Sequence, residues 1–259
     1  MSIYRYGRLP RKANRGIPAL GDFLDRLEPW PDVKPWGWEW KVPASKLNIL
    51  GNGEFGDCAE AGAFHLRQLW LMNNGIQYEP TTADALAWYS ELTGFDPNAG
   101  PPGQNPTDNG TVLTDLLAAW KNDGMPVTQP DGTVIRDKIL GAAALDINSL
   151  AQMRYATYLA GGIYLGIKCP EACEQNVQNW NFQPGLPIAG GHCVIRAGEG
   201  EDGGVTGSWG LWIPTSNSFY LGYLEEAYMV VNDDWLNKIS GISPSGFNLS
   251  GLLAAMQRL

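Results

Sequence analysis

The chain has 259 residues, enough for one large domain or two modest ones with a buried core. Hydrophobic residues make up 44% and charged residues 17%, a balance typical of folded proteins and not of disordered ones. The formal net charge of −9, with no basic stripe to offset it, excludes nucleic acid as the default partner.

The ends of the chain carry no recognisable targeting signal. The basic N-terminus is not followed by an apolar core of signal-peptide length, so secretion by a signal peptide is not expected. No stretch approaches the ~18 apolar residues of a spanning helix, so no membrane partner is expected. We therefore expect a location in the cytoplasm or a virion.

The four cysteines are too few for a disulfide scaffold. Cys169 and Cys173 lie four residues apart in CPEAC and could pair or share a metal, but the preferred interpretation is two small thiols beside a turn. A structural zinc site would need a second Cys/His pair at zinc spacing, which the sequence does not contain. No metal and no cofactor are predicted.

Elements in chain order indicate an α+β protein. The Pro- and Trp-rich residues 1–45 are typical of an extended arm lying across a surface. Helix signals dominate residues 46–142, and β-branched and aromatic runs dominate residues 143–259. This division predicts a helical subdomain and a β-rich subdomain with a cleft between them. Predicted helices cover 58–74, 81–93, 111–122 and 147–159, and a short amphipathic one covers 250–259.

The first of these helices begins at a cysteine. Asp57 is predicted as its N-cap, and Glu60 fits an acidic capping box. Cys58 then occupies the first helical position, where the helix dipole and free N–H groups favour a thiolate. The alternative is a small buried residue that starts a core helix.

Only His65 and His192 could serve Cys58 as a base. His65 lies two turns along the same helix, about 10 Å away by helical rise, so it is interpreted as a core histidine. His192 lies in AGGHCVIRAG, 134 residues after Cys58. A cysteine followed by a histidine after about 130–150 residues is the order of papain-like cysteine peptidases.

The segment Asn52-Gly53-Glu54-Phe55-Gly56-Asp57-Cys58 resembles the nucleophile loop of that family, and Gly-His-Cys-Val-Ile resembles its histidine-bearing strand. The resemblance spans residues 46–235 and is nearest to phage and prophage members. It implies the papain-like fold, with a helical left subdomain and an antiparallel β-sheet or barrel as the right subdomain.

The resemblance also implies roles for individual residues. Cys58 would be the nucleophile, His192 its proton-transfer partner and Asn52, in place of the family's Gln, an oxyanion-hole donor. Ser208 and Asn217 are equal candidates for orienting His192, because Ser208-Trp209-Gly210 lacks the preceding Asn that the family carries. The candidate substrate-binding residues are Gly56, Gly191 and Trp209.

Two adjacent acids, Glu225 and Glu226, could form a carboxylate pair. Neighbouring residues diverge on a strand, so a solvated face is predicted for them.

Three functions follow from these patterns. The first is a cysteine peptidase that cleaves peptide or isopeptide bonds in a peptide or protein substrate. The second is a weakly catalytic or non-catalytic binding protein on the same scaffold, for example in a virion or another assembly. The third is a cell-wall amidase, which the long separation of Cys58 and His192 disfavours.

Overall fold

The computed structural model describes residues 4–12, 16–24, 33, 35–237 and 240–246. The predicted helix over 250–259 lies outside this part of the chain. The helices are α1 (Gly21–Leu24), α2 (Cys58–Asn73), α3 (Thr82–Thr93), α4 (Leu113–Asn122), α5 (Leu150–Ala160), α6 (Ala172–Gln175) and α7 (Asn217–Tyr223), with 3₁₀ turns at Ala44–Lys46 and Asp233–Trp235.

The strands are β1 (Arg8–Leu9), β2 (Trp38–Glu39), β3 (Thr111–Val112), β4 (Met125–Thr128), β5 (Val134–Asp137), β6 (Gly141–Ala144), β7 (Ile163–Pro170), β8 (Ile188–Glu199), β9 (Gly203–Ser208), β10 (Leu211–Ser216) and β11 (Leu224–Val231). The main sheet has the order β10-β9-β8-β7-β11-β6, and every neighbouring pair in it is antiparallel. Strand β2 adds to this sheet beside β8. The predicted α+β class is confirmed.

Helix α2 is the central element of the core. All of its residues from Cys58 to Leu71 are buried, as its nearly continuous apolar sequence predicts. Gly62 lets the helix approach the sheet closely, because a Cβ there would lie 3.0 Å from the ring of Tyr164 on β7 and 3.1 Å from Cys193 Sγ on β8. The Tyr164 hydroxyl donates to the Ala59 carbonyl, which fixes the first turn of α2 against β7.

Helix boundaries follow the sequence to within three residues. The helix predicted from Ile147 begins at Leu150, with Ser149 as its N-cap. Thr81, predicted as the first residue of α3, is instead its N-cap, and Gly94 ends the helix in a left-handed conformation, as predicted. The helix predicted from Thr111 instead begins at Leu113. Thr111 and Val112 form β3, which pairs in parallel with β1 of the N-terminal arm.

Candidate active site

Cys58 is the first residue of α2 and is only 1% exposed. Its Sγ accepts a hydrogen bond from the backbone N–H of Cys193 at 3.3 Å and another from that of Gly7. Burial raises the pKa of Cys58 to about 12, although these two donors act in the opposite direction. The sulfur is therefore a protonated thiol in this structure.

The predicted capping box before Cys58 is wrong. Asp57 occupies the N-cap position, but its carboxylate makes no capping hydrogen bond and both oxygens are buried without a partner. Glu60 faces β3, where its Oε1 accepts a hydrogen bond from Thr111 Oγ1 at 2.7 Å. Burial raises the pKa of Glu60 to about 8 and that of Asp57 well above its usual value.

His192 lies on β8, and one of its two ring nitrogens is hydrogen-bonded while the other has no hydrogen-bond partner. Its Nε2 lies 2.8 Å from Ser208 Oγ, whereas its Nδ1 is buried without a hydrogen-bond partner. Trp209 stacks on the ring at 4.6 Å between centroids. Because Cys193 donates to Cys58 Sγ, the residue after His192 touches the sulfur, whereas the imidazole of His192 makes no hydrogen bond to it.

The structure separates the two candidates for orienting His192. Ser208 makes the contact described above, at the end of β9. Asn217 begins α7, its backbone N–H donates to the Asp202 carbonyl, and its Oδ1 is buried without a partner. Of the two, only Ser208 is brought to the imidazole.

Burial also sets the charge state of His192. Desolvation, with a smaller contribution from the positive charge of Arg8, lowers its pKa to about 3. The imidazole is therefore neutral. A thiolate–imidazolium pair is not the resting form of this site while water is excluded from it.

Asn52 lies in the loop before α2 and is 3% exposed. Its Nδ2 donates to the carbonyl of Phe55 at 3.2 Å and to that of Arg5 at 3.4 Å. The second contact places a peptide carbonyl from the N-terminal arm against the predicted oxyanion-hole amide. Asn52 can therefore hold a carbonyl of a chain lying in the cleft.

The sequence predicts that the arm lies across a surface. In the structure the arm also enters the cleft. At Gly7 the approach to the nucleophile loop is so close that a Cβ would lie 1.6 Å from the Gly56 carbonyl oxygen. The Gly7 carbonyl accepts a hydrogen bond from the Thr111 N–H at 2.6 Å. On the opposite wall, a Cβ at Gly191 would lie 2.2 Å from the Arg8 carbonyl oxygen. Gly56 and Gly191, both predicted to bind substrate, thus line the path of the arm.

Two tyrosines of the arm cover the His192–Trp209 pair. Tyr4 stacks on Trp209 with centroids 4.2 Å apart, and Tyr6 meets the His192 ring edge-on at 5.8 Å. The Tyr6 hydroxyl donates to Glu174 beyond the cleft. Together these contacts seal His192 from solvent, which accounts for its lowered pKa.

The solvated face predicted for Glu225 and Glu226 is wrong for Glu226. Its side chain is fully buried and its Oε1 accepts from Arg8 Nη1 at 2.8 Å. Glu225 is partly exposed and pairs with Arg8 Nη2 and with Lys168 Nζ. A cation from a distant part of the chain explains the difference, because it compensates a charge that could not otherwise be buried.

His65 is a core residue, as predicted. It is 3% exposed, and its Nε2 lies 2.8 Å from the Asn48 carbonyl, so that nitrogen must carry the proton. Burial lowers the pKa of His65 to about 4.

Sequence reasoning missed Gly7 and Arg8 as residues of the cleft. The only local signals are the cationic and aromatic character of YRYGR and the single glycine within it. Their contacts with residues 50 to 220 positions away depend on tertiary structure and have no sequence spacing to reveal them.

Within the described ranges, no group of three or more His, Cys, Asp or Glu side chains is placed to hold a metal ion. In the same part of the chain, no helix combines the length and apolarity needed to span a membrane.

No protein-family model and no curated protein sequence matches this chain. Solved structures do. Xylellain, a cysteine protease from Xylella fastidiosa, aligns with a TM-score of 0.62 at 12% identity, over 89% of this chain and 97% of that one. The proCathepsin B S9 of Trypanosoma congolense aligns with a TM-score of 0.57 at 9% identity, over 88% of this chain and 86% of that one.

A third similar structure is the Carica candamarcensis cysteine protease CMS1MS2 in complex with E-64. It aligns with a TM-score of 0.52 at 15% identity, over 77% of this chain and 99% of that one. At these identities the likeness concerns the fold, and the fold of this chain is papain-like.

Proposed function

We propose that the chain is a papain-like cysteine peptidase with Cys58 as nucleophile and His192 as its proton-transfer partner. One observation carries the proposal. His192 is held at Nε2 by Ser208 and packed against Trp209, its Nδ1 is free, and the next residue contacts Cys58 Sγ. A nucleophile beside a base that a third group orients is the arrangement of covalent acyl transfer.

The chemistry uses residues of the two walls of the cleft. Nδ1 of His192 takes the thiol proton as Cys58 Sγ attacks the carbonyl carbon of a bound peptide. The carbonyl oxygen becomes an oxyanion, stabilised by the Cys58 N–H and Asn52 Nδ2. His192 then gives its proton to the leaving amine. Water hydrolyses the thioester, which restores the thiol and releases the acid.

The described structure is the closed form of this site. The arm lies where a substrate would lie, with Gly7 at the sulfur and the Arg5 carbonyl on Asn52. Exclusion of water keeps Cys58 protonated and His192 neutral. Catalysis therefore requires that the arm leave the cleft, after which water and the helix dipole favour the charged pair.

The similar solved structures support this proposal at the level of the fold, since all three are described as cysteine proteases or a cathepsin precursor. The closeness to phage-type proteins, the virion role and the location in the cytoplasm or a virion remain predictions from sequence.

The test uses the full chain with Gly7→Val to displace the arm from the cleft. A side chain at position 7 would collide with the Gly56 carbonyl oxygen. We expect iodoacetamide to alkylate Cys58 at least about 10-fold faster than in the unmodified chain. A 10-fold change corresponds to a shift of about 1.4 kcal/mol in the equilibrium between the closed and the open cleft. We also expect a mixture of peptides to be cleaved, as detected by new termini in mass spectrometry.

Cys58→Ala in the same background is the matched control and should abolish cleavage, whereas Cys169→Ala should not. Absence of cleavage, with Cys58 alkylated no faster than Cys169, would contradict the proposal. That result would favour the non-catalytic binding role.

A further inference from the structure

The side chain of Arg8 fills an enclosed acidic socket, formed by Gly166, Glu225 and Glu226 on the β-rich wall of the cleft. Its Nη1 donates to Glu226 Oε1 at 2.8 Å and its Nη2 to Glu225 Oε2. The Arg8 side chain is 3% exposed and that of Glu226 is 0% exposed. The socket thus holds a guanidinium by its two terminal nitrogens, out of contact with solvent.

A glycine in strand β7 makes the room for this side chain. A Cβ at Gly166 would lie 2.7 Å from Arg8 Cδ and 2.6 Å from Glu226 Cγ. Any larger residue would collide with both the arginine and its carboxylate. The room for the arginine side chain therefore depends on a glycine of the sheet.

Charge makes the socket selective. Glu225 has a second cation, Lys168, at 2.9 Å, and Glu226 has the Tyr228 hydroxyl as a donor at 2.7 Å. The cationic partner of the fully buried Glu226 is Arg8. If Arg8 withdraws, that carboxylate needs another cation or a proton, because a buried charge without a partner is strongly unfavourable. Two carboxylates facing two adjacent N–H groups fit a planar guanidinium better than an ammonium.

The socket also lies beside the nucleophile. Gly7, the residue before Arg8, donates its N–H to Cys58 Sγ. The Gly7 carbonyl is bonded to Thr111 on one wall, and the Arg8 carbonyl passes against Gly191 on the other. A peptide that follows the same path presents a side chain to the socket one residue from the sulfur.

We propose that this acidic socket binds the arginine side chain of a peptide lying in the cleft, and that Arg8 occupies it as an internal substitute. The proposal rests on the proposed peptidase function and names the substrate class, peptides with an arginine next to the residue at Cys58.

The first experiment measures binding, independently of catalysis. The full chain with Arg8→Ala is titrated with N-acetyl-arginine methylamide and with its uncharged citrulline counterpart. We expect the arginine compound to bind at least about 10-fold more tightly, because each hydrogen bond to the two carboxylates is charge-assisted. The unmodified chain, whose socket is filled, should show no such preference.

Two further substitutions in the Arg8→Ala background locate the effect. Glu226→Gln should bring the arginine-to-citrulline ratio close to 1. Glu91→Gln is the matched control, since Glu91 is an exposed acid paired with Arg136, and should leave the ratio unchanged. If Arg8→Ala is too unstable to purify, Arg8→Lys retains the positive charge, and the arginine compound should displace that lysine with the same preference over citrulline.

The second experiment measures cleavage by the Arg8→Ala chain. Fluorogenic peptides of otherwise identical sequence carry either arginine or citrulline at one position, and that position differs from peptide to peptide. At one of these positions we expect kcat/KM to be at least about 10-fold higher for arginine than for citrulline. Glu226→Gln should remove that preference.

The outcomes separate the two proposals. Equal binding of the arginine and citrulline compounds would overturn the socket, as would cleavage with no arginine preference at any position. Preferential binding of the arginine compound without cleavage of any peptide would support the socket and contradict the peptidase.

Discussion

His65 and His192 are the two histidines of the chain, and their surroundings differ in one decisive respect. Both are buried, and burial lowers the pKa of each, to about 4 and about 3. His65 lies inside α2, bonded to a loop carbonyl and enclosed by the permanent core. His192 is enclosed by Tyr6 of the arm and retains a free Nδ1. Burial alone therefore does not distinguish a core histidine from one in the proposed active site.

What distinguishes His192 is that its cover is a separate segment of chain. Residues 4–9 of the arm lie in the cleft and are far in sequence from β8. Their position depends on close contacts of glycines, which an added methyl group would prevent. The enclosure of His65 is made by the helix that carries it and by the loop before that helix. Removal of the arm would hydrate one histidine and leave the other unchanged.

The largest expected effect compares the two histidines directly. In the Gly7→Val chain, His192→Ala should reduce the rate of peptide cleavage by about 10³-fold or more, because it removes the proposed proton-transfer partner of the thiol. His65→Gln should leave the rate within a few-fold, since a glutamine amide can still donate to the Asn48 carbonyl. Kinetics on the two purified variants decide the point.

Folding of both variants is checked by circular dichroism before the rates are compared. A loss of activity with His65→Gln as large as that with His192→Ala, in a folded protein, would contradict the assignment of His65 to the core.

A smaller effect is expected from the group that orients His192. Ser208→Ala removes the hydrogen bond to Nε2 and should lower kcat about 10-fold, the equivalent of one hydrogen bond of about 1.4 kcal/mol in the transition state. Asn217→Ala is the matched control and should leave kcat unchanged. The reverse order of effects would return the orienting role to Asn217.

The sequence predicts the local elements well and the closed cleft poorly. Helix α2 follows from its continuous apolar run, and Cys58 and His192 from their positions in glycine-rich motifs and their spacing, all of which can be read along the chain. The preference for Ser208 over Asn217 depends on how β9 and β10 place two nearby candidates against one ring. Two patterns gave equal support, and only the fold separates them.

Two wrong predictions share a physical cause. The sequence places Glu60 in a capping box by its spacing from Asp57, and Glu226 on a solvated face because neighbouring residues diverge on a strand. Each is instead buried with a partner from a distant segment, Thr111 for the first and Arg8 for the second. A carboxylate changes its environment when such a partner is present, and no local pattern records the partner.

The smallest expected effect concerns pH and stability. A histidine whose pKa is lower in the folded than in the unfolded chain destabilises the fold as pH falls below about 6.5, because the unfolded chain then binds more protons. The slope is at most about 1.4 kcal/mol per pH unit for each histidine. His65→Gln should remove its contribution between about pH 6.5 and 4, measured by urea unfolding of the unmodified and variant chains.

The arm makes the two contributions separable. Gly7→Val hydrates His192 and should raise its pKa towards the ordinary value, so its share of the slope between about pH 6.5 and 3 should shrink. The share of His65 should persist in the same variant, because its cover belongs to the core. An unchanged total slope in the Gly7→Val chain would mean that the core, and not the arm, excludes water from His192, and the distinction between the two histidines would then rest on the free Nδ1 alone.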